Sequence, residues 1–216
     1  MERTKRIGRD HIPYVCIENA KVQAFTAPIV QHPIGYRGGP ILSGADLEPF
    51  RHHRGNMVID HFSSEISPTN FIPGDLIYAG PIYDHFGHFM AEMIHRILPA
   101  RSLGLKHKFL FVGARGHTAH ATYEGLPQHI QDILSFLGLS AEDVVIALDD
   151  VVIERLHLVP QASQHHGDPA DWYLDLLDAH SNEVLDRLYG EVARPKRLYV
   201  SRARQSLEGA AGRDVS

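Results

Sequence analysis

Cysteine is nearly absent from this sequence: Cys16 is the only one, so no disulfide can close within the chain. Set in the apolar stretch at residues 13–17, Cys16 reads as a buried strand residue rather than a nucleophile. Long apolar runs are missing too. Residues 144–148 form one of the longest, far short of the ~20 residues a membrane-spanning helix needs. The first ten residues are charged and lack the apolar core of a secretory signal. Cytoplasmic residence is therefore expected, with at most a peripheral place at the inner membrane face. Nor is there a basic excess. Sixteen arginines and five lysines lie scattered in a chain of net charge −5, which gives no field for gripping a nucleic-acid backbone. Nucleic acid is excluded as an expected partner, and no internal repeat is visible.

What remains is an ordinary globular composition. The chain has 216 residues, 44% hydrophobic and 22% charged, enough to bury a sizeable core. Histidine is the unusual component, with 16 copies. At that density, pairs such as His52–His53, His165–His166 and His117–His120 arise by chance, so spacing alone identifies no metal site.

Residues 11–70 read as short strands and turns, with 14–18 and 21–25 as a strand pair followed by a Pro/Gly-rich stretch at 32–44. From Asp75 onward, strands alternate with helices. Strands are expected at 76–80, 106–112, 144–148, 151–159 and 196–201. Helices are expected at 84–103, at 126–137 with Ile130, Ile133, Leu134 and Leu137 on one face, and up to Tyr189, where Gly190 stops the last one. This alternation implies βαβ units and a Rossmann-like α/β fold, an open and mostly parallel sheet carrying an N-terminal β-rich segment. The expected division is residues 1–74 for that segment, 75–201 for the α/β domain and 202–216 for a flexible tail.

The turn after Gly80 carries the chemistry. On a regular helix of about 100° per residue, His85, His88, Glu92, His95 and Arg96 share one side, while Phe86, Phe89, Met90, Met93, Ile94 and Ile97 share the other. Solvated helix faces are ordinarily Lys, Glu, Gln and Ala. This one holds three imidazoles, a carboxylate and a guanidinium, at the carboxyl end of a strand where open α/β sheets place their ligands. Gly87, in the first turn, suggests close approach by a ligand or another backbone. Two chemistries fit. A histidine–glutamate pair one turn apart can deprotonate a hydroxyl. Alternatively His85, His88, Glu92 and His95 bind a divalent metal for hydrolysis, Glu92-x-x-His95 having the spacing of helical carboxylate metal sites. The face alone does not decide between them.

The stretch GPIYDHFGHFMAE at residues 80–92, together with RLYVSR at 197–202, resembles glycosyltransferase family 61, which includes capsular polysaccharide biosynthesis proteins. The first matches an aromatic-x-x-Gly-His-Phe-x-x-Glu pattern opening a helix, the second a Tyr-x-Ser-Arg strand end. The resemblance implies the first half of a GT-B architecture, two Rossmann-like domains facing across a cleft. It implies inverting transfer from a nucleotide sugar to a glycan acceptor, with an active-site base and no bound metal or other cofactor. Carried onto this sequence, it makes His88 the base and Glu92 its orienting partner. Ser201 and Arg202 fall on the substrate side, Arg202 against donor phosphate. Asp84, His85, His95 and Arg96 are the expected substrate-binding neighbours on the same turn and helix.

Members of that family continue into a second, donor-binding domain after Tyr-x-Ser-Arg. Here the expectation is a truncated enzyme, completed by a partner chain or a second copy, or else a non-catalytic remnant.

Overall fold

The computed structural model describes residues 3–8, 12–25, 38–54, 57–60, 66, 68, 70–113, 120–165 and 167–190. The chain divides into two units, Met1–Ser181 and Asn182–Ser216. The second contributes only residues 182–190 to the described part, the last turns of a helix and Gly190. The strand expected at 196–201, with Ser201 and Arg202, lies outside the described residues.

The first unit is built on a seven-stranded sheet. Its strands are β1 (Arg3–Gly8), β2 (Ile12–Gln23), β3 (Gly39–Pro40), β6 (Asn70–Ile82), β7 (Lys108–Gly113), β8 (Val144–Ala147) and β9 (Val151–Leu158). A separate small ladder joins β4 (His53–Arg54) to β5 (Met57–Val58). The order across the sheet is β1-β2-β9-β6-β7-β8, with β3 also paired to β2. Strands β9, β6, β7 and β8 run parallel. On the other side β2 pairs antiparallel with β9, β1 and β3. The fold class is thus α/β, and the sheet is mixed where a mostly parallel one was expected.

Two crossovers follow the alternation read from the sequence. One carries the chain from β6 to β7 through α1 (Phe86–His88), a π-helical turn (Phe89–Met93) and α2 (Ile97–Ser102). The other carries it from β7 to β8 through α3 (Gln128–Phe136). Ile130, Leu134 and Leu137 are buried and Ile133 packs against the core, as the 3.6-residue period requires. Gly138 follows that helix at φ 77°. The last helix, α4 (Asp171–Tyr189), ends at Gly190 with φ 66°.

The N-terminal strands differ from expectation. Residues 12–23 form one strand rather than a hairpin pair, although Asn19 stands in the left-handed region at φ 49°. The boundary expected at residue 74 falls inside β6, and β2 shares its sheet with β9. The sheet is curled, because Phe25 N at the end of β2 donates to Gly113 O at the end of β7 (3.1 Å). Val22, Ile77, Leu110, Phe111, Ile153 and Leu156 are fully excluded from solvent. Each such side chain contributes roughly 1.5–3 kcal/mol.

Candidate functional site

Strand β6 ends at Ile82, and three residues later His85 caps the next helix. His85 has extended backbone angles, and its Nδ1 accepts from His88 N at 3.3 Å. Regular α-helix lasts only through His88. The wider π turn then takes over, and the chain bends again before α2 starts at Ile97. A π turn breaks the 100° step on which a helical wheel depends, and such turns are frequent at functional sites.

The consequence is a redistribution of the expected face. Glu92, His95 and Arg96 are buried, whereas Phe86 and Met90, expected inside, are 58% and 41% exposed. A Cβ added at Gly87 would meet nothing closer than the His85 ring at 3.5 Å, an ordinary contact. The close approach expected there is not found.

His88 and Glu92 are brought together. His88 Nδ1 lies 2.5 Å from Glu92 Oε1, and Arg54 Nε lies 3.6 Å from the same oxygen. Arg54 also brings an Nη within 3.3 Å of His88 Nδ1. One ring nitrogen cannot both accept from the guanidinium and donate to the carboxylate. The shorter contact decides: Nδ1–H donates to Glu92, and Arg54 serves as the positive partner of the buried carboxylate. Nε2 of His88 then carries the lone pair. The His88 side chain keeps 19% of its surface exposed, while that of Glu92 keeps none. Glu92 Oε2 is buried with no hydrogen-bond partner among the described residues.

Gln161 fixes the other side. Its Nε2 donates to Glu92 O at 3.0 Å and its Oε1 accepts from His53 N at 2.9 Å, tying β4 to the π turn. A cleft of about 350 Å³ opens beside it, lined among others by Arg51, His53, Gln161, Gln164 and Asp168. Around His88 gather the rings of His85 (4.5 Å between centroids), His165 (5.4 Å) and Tyr83 (6.0 Å). Asp84 instead pairs with His120 at 3.2 Å.

His95 and Arg96 take no part in this cluster. Arg96 is 1% exposed. Its guanidinium donates to the carbonyls of Phe50, Arg51 and Val159 and to His52 Nδ1 at 2.9 Å, and lies over the Tyr78 ring. It clamps residues 50–52 to the end of β9, which replaces the expected substrate-binding role. Gly80 belongs to the same arrangement. Its φ of 130° is one that residues with a side chain rarely adopt, and a Cβ there would sit against the His52 ring at 3.4 Å. Burial first, and the Arg96 charge second, push the His52 pKa well down.

His95 is buried against the Tyr173 hydroxyl, 2.8 Å from Nδ1. Burial pushes its pKa down to about 4. An unfolded imidazole titrates near 6.5, so between about pH 6.5 and 4 the unfolded chain binds a proton the folded chain refuses. Stability should therefore fall with pH across that window, by up to roughly 3 kcal/mol from His95. Above it, this residue contributes no pH dependence. Urea unfolding at about pH 7 and about pH 4.5 checks this: His95→Gln should lose less stability on acidification than the wild type. Equal losses would sink the assignment.

The four side chains expected to share a metal do not converge. Among the described residues the grouping able to hold a metal ion is a different one, Asp75, His107 and His157. Sequence reasoning missed Arg54 and Gln161, which reach the dyad from 34 and 69 residues away and leave no spacing signature. No helix among the described residues is long and apolar enough to cross a membrane. The chain matches no family model, no curated protein and no solved structure.

Proposed function

We propose that the chain carries the acceptor side of an inverting, nucleotide-sugar-dependent glycosyltransferase of cell-surface polysaccharide synthesis. The observation that carries this reading is the His88–Glu92 dyad, placed just after the carboxyl end of β6 with its geometry set by Arg54 and Gln161. An acceptor hydroxyl is a poor nucleophile until a base takes its proton. An imidazole with Nδ1–H held by a carboxylate has Nε2 free to do so. The proton leaves with the imidazolium, and the acceptor oxygen attacks the anomeric carbon as the nucleoside diphosphate departs. Glu92, buried beside Arg54, stabilises the imidazolium that forms.

The motif resemblance at residues 80–92 supports the same reading, and with it a Rossmann-like domain of GT-B type. His85 and His165 supply ring faces at the mouth of the site, surfaces against which the apolar faces of a sugar pack.

A panel of cell-surface oligosaccharides titrated into the protein tests the acceptor assignment. At least one glycan should bind the wild type, and substitution of Gln161 by Ala should weaken it about tenfold or more by releasing the π turn from β4. Absence of any glycan binding, or binding indifferent to Gln161→Ala, would overturn it.

A further inference from the structure

A second polar cluster lies away from the helix, on the sheet itself. Asp75 comes from β6, His157 from β9, and His107 from the residue before β7. One potential ligand atom from each lies within 4.8 Å of the other two. His157 Nε2 is 2.8 Å from Asp75 Oδ1. The His107 and His157 rings stack with centroids 4.6 Å apart at 13°. His157 is buried, Asp75 half-buried and His107 exposed, so the cluster opens to solvent on the His107 side.

An ion pair alone explains part of this. Arg155 grips both carboxylate oxygens of Asp75, at 2.7 and 2.5 Å. It does not explain why two imidazoles are stacked against that pair. The second nitrogen of His157 is also engaged, with the Tyr14 hydroxyl 2.5 Å from Nδ1. A metal-bound histidine needs its lone pair on the ligating nitrogen, and its other N–H held by a second group. Tyr14 oxygen stands where that acceptor is required.

We propose that Asp75, His107 and His157 form a binding site for a divalent transition cation of the zinc class. His157 coordinates through Nε2, with Tyr14 accepting from Nδ1–H. Two imidazoles, borderline donors, beside one carboxylate suit zinc and its neighbours. Calcium and magnesium prefer sets of oxygens. Three protein ligands leave a fourth position for water or a substrate atom. To admit the ion, Arg155 gives up Oδ1 and stays on Oδ2, so the guanidinium competes with the cation it borders. The site is separate from the His88–Glu92 dyad and does not depend on the proposed transfer activity.

That competition supplies a sharp test. Zn²⁺ titrated calorimetrically into the full chain should bind at one site per chain, above the weak background of a histidine-rich surface. His107→Ala, or the gentler His107→Gln, should weaken that site by about 10- to 100-fold, and Tyr14→Phe by about tenfold. His107 is exposed, so its loss spares the fold. Arg155→Gln should tighten binding by about tenfold, because a neighbouring positive charge is removed. His120→Ala should leave it unchanged. The proposal is overturned if His107→Ala binds as the wild type does, if His120→Ala loses as much, or if Arg155→Gln weakens binding. A merely structural ion pair predicts no tightening at all.

Discussion

His88→Ala should lower glycosyl transfer by about 10²- to 10⁴-fold while changing glycan affinity only a few-fold. The split follows from the geometry. The His88 imidazole is the group with a lone pair to offer, because its Nδ1 is committed to Glu92 at 2.5 Å. Removing it takes away proton transfer, while the rings of His85, His165 and Tyr83 and the cleft beside Gln161 remain. Glu92→Gln should be nearly as damaging. A glutamine amide that donates to Nδ1 leaves the proton on Nε2, the wrong tautomer for a base, as in the losses of about 10⁴-fold known for carboxylate-to-amide changes in comparable dyads. The measurement is kcat against KM for both variants, with circular dichroism confirming the fold. A loss confined to KM would mean that His88 only binds.

Arg96→Ala should destabilise the protein by about 3–5 kcal/mol, the range for breaking a buried charged network. Three backbone carbonyls and His52 Nδ1 lose their donor at once. Asp60, fully buried nearby and bonded to Arg51, then loses the attraction of the Arg96 charge. Domains of this size have about 5–15 kcal/mol in all, so the variant should lose a large share of its stability. Arg96→Lys should recover little, since an ammonium cannot serve planar, divergent acceptors as a guanidinium does. Urea unfolding measures both. A loss below about 1 kcal/mol for the alanine variant would show that the clamp is dispensable.

These two residues of the β6–β7 crossover illustrate where the sequence was legible. The strand-to-helix turn at residues 80–92 could be read directly, since His88 and Glu92 are four residues apart and a single helical turn sets their meeting. Periodicity likewise placed α3 and its buried face, and Gly138 and Gly190 marked helix ends. The fate of His95 and Arg96 was not legible, because a wheel at constant pitch has no term for a π turn. Both side chains, which follow that local widening, are buried, and Met90 within it is left partly in solvent.

The N-terminal strands escaped for a different reason. A pattern of short alternating segments cannot say whether they pair with each other or with β9, some 140 residues later. The Asp75–His157 contact spans 82 residues and the Tyr14–His157 contact 143. Only the sheet register brings such residues together, so no motif could announce them.

The most direct test of the account is release of nucleoside diphosphate from a panel of nucleotide sugars, with a bound glycan as acceptor. The prediction is that one donor is turned over by the wild type, with inversion at the anomeric carbon, and that His88→Ala abolishes the release. Turnover of no donor, or equal release by the wild type and His88→Ala, would contradict the account.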